Sequence, residues 1–193
     1  GMTSQFRGMV DLRAKQGFTV YQTNLRSDMG ARDRYWIDGG MAKGAEDLPN
    51  VAFYQQELDR RMAYIADAGL VNALGQAWAF SIRGENAVEH QKHLARYLVA
   101  RYGAYPMVWT LAGEVAGYGK EDRAALIDSW REVALEIEAR DGYGHLATAH
   151  YTNERPFADY YQDESWMDFT LNQAGHGDYL IKASDYFDYL EAH

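Results

Sequence analysis

A chain of 193 residues, 47% hydrophobic and 24% charged, is long enough to bury a sizeable core and reads as one soluble domain over residues 1–193. Nineteen basic against 28 acidic residues give a net charge of −9 without long like-charge runs, which argues against nucleic acid or an anionic membrane as partner. The lack of cysteine excludes disulfides, thiolate nucleophiles and cysteine zinc sites but leaves the compartment open; no apolar run approaches a membrane span, and the first residues do not form a secretory signal.

In chain order, Ser4 to Gln16 carries Phe6, Met9, Val10 and Arg13 at helical spacing, and Gly17 is the expected stop. Phe18 to Leu25 follows as a strand that ends in the polar residues Gln22, Thr23 and Asn24. The long stretch from Arg26 to Pro49, with Tyr35, Trp36 and Asp38, reads either as a rim over a site or as a packed surface loop. A second helix, about Asn50 to Ala68, is capped by Asn50 and turns Tyr54, Leu58, Met62 and Ile65 inward; Gly69 ends it. Leu70 to Leu74 is the next strand, and Gln76 and Trp78 stand at its exit. A third helix spans about Ala87 to Tyr102 and packs through Leu94, Tyr97, Leu98 and the stem of Arg101 before Gly103.

Pro106 then opens the central strand, Met107 to Leu111, whose exit Ala112–Gly113 delivers Glu114. Glu121 and Asp122 start a fourth helix with Leu126, Trp130, Val133 and Ile137 on one face, closed by Gly142. His145 to Ala149 is the fifth unit's strand and exits at His150, Tyr151 and Asn153. A last strand, Trp166 to Leu171, exits at Asn172, Gln173 and His176, and a terminal helix carries Tyr186, Phe187 and Leu190.

Helix, glycine, strand and polar tip recur at a spacing that accommodates right-handed βαβ units. The strand runs are apolar on both parities, so both faces are expected to be covered. Leu25 to Asp28 lacks the glycine spacing of a dinucleotide turn, which favours a barrel over a nucleotide-binding sheet. The expected fold is therefore α/β, a partial TIM-type (β/α) barrel of about five parallel strands with helices outside.

In such sheets ligands bind at the carboxyl ends of the strands, which makes Glu114 the leading catalytic candidate, although it also suits a helix cap. Asn24, Gln76, Trp78, His150, Gln173 and His176 occupy neighbouring exits and are candidate substrate contacts. His150 and His176 suit hydrogen bonding to a polyhydroxylated ligand or orienting Glu114, with loop packing as the alternative. His90 and His93, three apart on a helix, read as a solvated face, and no metal or other cofactor is expected. Asp168, within the last strand, could point into the interior but reads rather as a buried structural acid or as a sign that the strand boundary lies elsewhere.

Arg101 to Trp109 followed by Leu111–Ala112–Gly113–Glu114 resembles the fourth-strand region of apiosidase-like glycoside hydrolases, (β/α)₈ barrels related to the cellulase clan. Asp59–Arg60–Arg61–Met62, Gln76–Ala77–Trp78 and Gln173–Ala174–Gly175–His176 are similar to further pieces in the same order. The resemblance implies that the strands here are two to six of eight, the first and last ones lacking, and that Glu114 is the acid/base of O-glycosyl hydrolysis on an oligo- or polysaccharide. Clan members often carry Asn where Gly113 stands. The clan's second carboxylate comes from strand seven, which has no counterpart here, so it is expected from outside this chain segment or from a partner copy. The alternatives are an inactive barrel remnant that binds carbohydrate or only assembles, and a metal-dependent hydrolase on a similar barrel. Two open sheet edges and an uncovered inner face point to a homo-oligomer that completes the sheet.

Overall fold

The computed structural model describes residues 3–25, 48–117, 122–151, 160–171 and 173. Helix α1 (Ser4–Lys15) starts where the Thr3 hydroxyl accepts the Phe6 N–H at 3.2 Å. It leads into strand β1 (Val20–Asn24). Helix α2 runs through three registers: α-helical Val51–Phe53, a π-helical Tyr54–Leu58, and α-helical Asp59–Asp67. Its cap is Asn50, as expected, and accepts from Phe53 N at 3.2 Å. Strands β2 (Val71–Gly75) and β3 (Ala77–Trp78) precede a short 3₁₀ turn, Ala79–Ile82, and helix α3 (Ala87–Tyr102). Strands β4 (Met107–Trp109) and β5 (Ala112–Gly113) precede helix α4 (Arg123–Arg140).

All strand pairings among the described residues are parallel. β1, β2 and β4 lie side by side, with Asn24 opposite Gly75 and Leu74 opposite Trp109; β3 pairs with β5, Trp78 opposite Gly113. Parallel bridges Trp109–Ala147, Gly113–His150 and His150–Leu171 extend the order to a fourth and fifth position. The mixed α/β fold with parallel strands and outer helices is the one anticipated. The stretches at 145–149 and 166–171, however, are not continuous strands. They touch their neighbours only at single bridges, because side chains take over part of the ladder: the Asp168 carboxylate accepts the Ala147 N–H at 2.7 Å.

The two strand pairs β2/β3 and β4/β5 are each one strand bent near its end. β2 and β3 bend at Gln76, β4 and β5 at Thr110–Leu111, and the Gln76 N–H donates to the Leu111 carbonyl across the bend at 2.6 Å. Between Trp109 and Gly113 the chain takes four steps, while its neighbour takes three from Ala147 to His150; that one extra residue is a bulge, marked by Leu111 at φ +52.

One parity of the strands faces the helices. Thr23 donates to Asn72 at 2.8 Å, and Asn72 donates to the Met62 sulfur of α2 at 2.7 Å. Leu74 and Trp109 continue this face into a core with Tyr54, Leu58, Leu94, Leu98, Trp130, Val133 and Ile137. A satellite cluster of Val10, Ile65 and Leu70 holds α1 to α2. Thus the apolar stripes read for the second and fourth helices are buried, whereas Met9 of the first stands 43% exposed.

The opposite parity faces the barrel interior. Asn24, Gly75 and Thr110 form one row across it: a Cβ on Gly75 would lie 2.8 Å from Asn24 Nδ2 and 3.2 Å from Thr110 Oγ1. At β1 this inner face is open, with Val20 45% exposed and Gln22 exposed.

Of the four glycines expected to stop helices, Gly17 (φ +81) and Gly69 (φ +77) are left-handed. Gly103 ends α3 in the right-handed region at φ −61, and the left-handed turn after α4 belongs to Gly144 rather than Gly142. His90 is buried in α3, not on a solvated face. The rim residues Tyr35, Trp36 and Asp38, the helix-starting Glu121, Asn153, Asn172 and the terminal helix lie outside the described residues. No helix among the described residues is long and apolar enough to cross a membrane.

Candidate active site at the strand tips

Glu114 sits one residue beyond β5 at the carboxyl end of the third strand position in the described order, 4% exposed and at φ +57. A non-glycine residue in the left-handed region costs on the order of 1 kcal/mol and needs surrounding structure to hold it there. Three backbone features hold it. Val115 N–H donates to the His150 carbonyl at 3.1 Å, Gly117 N–H donates to the Glu114 carbonyl at 2.7 Å, and Gly113 pairs with both Trp78 and His150. Among the described residues no side chain hydrogen-bonds or ion-pairs with the Glu114 carboxylate. A buried carboxylate without a protein partner is costly, and a carboxylate spent on capping α4 would show that bond.

The strand register brings the expected tip residues to the same end of the sheet, in differing states of engagement. Asn24 donates through Nδ2 to the Ala77 carbonyl at 2.8 Å, which continues the β1 ladder past the bend. Gln76, 3% exposed, donates through Nε2 to the Gln91 carbonyl at 3.0 Å and side-chain oxygen at 2.8 Å, tying β2 to α3. Both amides are thus engaged in holding the rim together. His150 lies in the sheet beside Gly113, half-buried, and Gln173 is half-buried two residues past the Leu171 bridge. His176 lies outside the described residues.

Trp78, half-buried, explains why residue 113 is glycine. A Cβ on Gly113 would lie 2.6, 2.7 and 3.0 Å from Cε3, Cζ3 and Cδ2 of the indole, so the ring occupies the space a side chain would need. The Asn expected by resemblance at that position is sterically incompatible with this placement of Trp78.

At the opposite end of the strands, His145 and Asp141 do structural work. The Asp141 carboxylate accepts from Trp109 Nε1 at 3.0 Å, Tyr143 N at 3.1 Å and His145 N at 2.9 Å, and contacts His145 Nδ1 at 2.9 Å. His145 Nε2 reaches the Tyr105 carbonyl at 3.1 Å. Burial pushes the Asp141 carboxyl up, but the donated bonds from Trp109 and from the 143 and 145 amides outweigh it and hold the group below the usual range. No cluster of three His, Asp or Glu suited to a metal ion occurs among the described residues.

Sequence reasoning identified the tip residues but missed the ring-on-glycine contact and the engagement of Gln76 with Gln91. A glycine directly before a strand-tip acid, with an aromatic at the previous strand's exit, is the signal that carries the first.

Comparison with known proteins agrees with this architecture. A glycoside hydrolase family 5 structure from Bacteroides vulgatus superposes with a TM-score of 0.67 at 18% identity, covering 100% of this chain and 43% of that one. The Thermotoga maritima endoglucanase Cel5A, solved with mannotriose, gives 0.64 at 13% identity, covering 94% and 59% respectively. At these identities the likeness shows the fold alone, and the chain spans about half the length of the structures it matches. Among curated proteins no sequence matches. The sequence profile of the apiosidase-like catalytic domain matches residues 2–192, and the chain belongs to that family.

Proposed function

We propose that the chain carries the acid/base half of a retaining O-glycosyl hydrolase site, with Glu114 as the acid/base. The observation that supports this most directly is a buried carboxylate with no side-chain partner among the described residues, held in a left-handed turn at a parallel-strand tip. Glu114 in its carboxylic acid form donates its proton to the glycosidic oxygen as the bond to the anomeric carbon breaks. As carboxylate it then takes a proton from the water that releases the sugar. Retention requires a second carboxylate about 5 to 5.5 Å away. The described strand tips supply Asn24, Trp78, Glu114, His150 and Gln173, so the nucleophile comes from the strand-seven segment of a complete barrel or from a partner copy.

The substrate class is an oligo- or polysaccharide. His150 and Gln173, at strand tips beside Glu114, offer hydrogen-bonding groups to hydroxyls. The open inner face at Val20 and Gln22 and the edge of β1 that is unpaired among the described residues suit a second copy of the chain as cover.

The test is release of phenol from aryl glycosides. Turnover abolished by Glu114→Gln supports the proposal, whereas turnover unaffected by that change refutes it. The second reading, an inactive barrel that retains glycan binding, is favoured by the lack of a second acid among the described strand tips; oligosaccharide binding with no turnover would establish it.

A further inference from the structure

The turn that carries Glu114 is gripped at both ends by aromatic rings from one short segment, residues 78–81. The Trp78 indole lies on Gly113, and Phe80 lies on Gly117: a Cβ at 117 would be 2.9 Å from Phe80 Cε1 and 3.3 Å from its Cζ. Both glycines leave room for a ring against bare backbone, and Gly117 is left-handed at φ +62. The gripping segment is itself fixed. The buried Ser81 hydroxyl donates to the Trp78 carbonyl at 2.7 Å and accepts the Trp78 N–H at 3.3 Å, and Trp130 Nε1 of α4 donates to the Ala79 carbonyl at 3.1 Å. On its outer side Phe80 is covered by the Arg83 guanidinium, 4.3 Å from the ring centroid, and Arg83 ion-pairs with Asp122 at the start of α4. The Arg83–Asp122 pair therefore ties the loop that supplies the rings to the loop they hold.

We propose that Trp78 and Phe80 are positioning residues for Glu114, acting through Gly113 and Gly117, rather than a platform on which a sugar ring stacks. This rests on Glu114 being the acid/base. A left-handed glutamate relaxes towards the right-handed or extended regions unless something blocks the movement. Rings seated on the residue before it and the residue three after it block rotation of both flanking peptide units, which fixes where the carboxylate points. An error of about 1 Å in that placement is enough to cost on the order of a hundredfold in rate.

The test compares Trp78→Ala, Trp78→Phe and Phe80→Ala in aryl glycoside hydrolysis and in crystal structures. Positioning predicts that the two alanine variants lose about ten- to a hundredfold in kcat with little change in KM, and that Trp78→Phe, which keeps a ring on Gly113, recovers most of the loss. A rise in KM at unchanged kcat identifies a sugar platform and overturns the proposal. Should Trp78→Ala fail to fold, Gly113→Ala carries the same test by adding one methyl against the ring, with the same kcat loss expected. Should the wild-type chain hydrolyse nothing, as expected where the strand-seven nucleophile is not supplied, the variant crystal structures decide the clamp alone. Departure of Glu114 from its left-handed φ in Trp78→Ala or Gly113→Ala supports the clamp; an unchanged Glu114 backbone refutes it.

Discussion

Arg101 grips Asp59 with two prongs, Nε to Oδ1 at 2.7 Å and a terminal nitrogen to Oδ2 at 2.6 Å, and so joins α3 to α2. Tyr102 adds a hydroxyl donor to Oδ1 at 3.0 Å, and Tyr97 accepts the remaining guanidinium arm at 3.0 Å. The planar fork is what makes this arrangement possible. Arg101→Lys keeps the charge but loses the two-pronged geometry, and is expected to lower stability by about 1 to 2 kcal/mol in urea denaturation.

Asp141 makes an acid-sensitive contribution. Its carboxyl is held below the usual value, so the stabilisation is present above the unfolded-state pKa of about 3.9 and is lost as pH falls through the lower folded-state value. Asp141→Asn is expected to cost about 1.5 to 3 kcal/mol at neutral pH. The wild-type and variant curves then converge as pH falls through the lowered folded-state value in denaturation series between acid and neutral pH.

Two buried phenols act in the opposite direction. Burial pushes up Tyr102, helped by the Asp59 charge, and burial pushes up Tyr161, helped by Tyr160. Since their folded values are raised, the stabilisation is complete below the unfolded value of about 10 and declines as pH rises above it. Ultraviolet titration of the phenolate band is expected to show these two tyrosines ionising together with loss of circular dichroism, not before it.

Glu114 and Asp59 should respond oppositely to the same chemical change. Asp59→Asn weakens a paired carboxylate and lowers the unfolding midpoint. Glu114→Gln removes a buried charge that no described side chain compensates, and is expected to raise stability by about 1 kcal/mol. Differential scanning calorimetry on the two variants reads both signs.

Which parts of this were legible in the sequence follows from how local each cause is. The limits of α3 at Ala87 and Tyr102 and the buried stripe Tyr54, Leu58, Met62, Ile65 came directly from apolar spacing, a property of neighbours along the chain. The π-helical turn Tyr54–Leu58 did not, because the same stripe fits either hydrogen-bond register. Strand tips were readable as polar residues after apolar runs. That Asn24 bonds to Ala77 and Gln76 to Gln91 was not, since those partners are set by tertiary register rather than by sequence distance. The segments at 145–149 and 166–171 looked like strands by composition, but Asp168 supplies one of the bonds a strand backbone would make. Gly113 departs from the Asn that the resemblance implies before the acid, and the ring that requires glycine there is a tertiary contact with no mark along the chain.

The matched bend in strands β2/β3 and β4/β5 constrains how this chain can change in length. Leu74 faces Trp109 before the bend and Ala77 faces Ala112 after it, so each strand spends the same number of residues turning the corner. Deleting Thr110 alone would draw everything downstream back by one position of about 3.3 Å and reverse the side of every following side chain, exchanging Glu114 for Val115 at the rim. Length variation is therefore tolerable in the helices and their connecting loops, while the corner can be lengthened or shortened only in both strands at once.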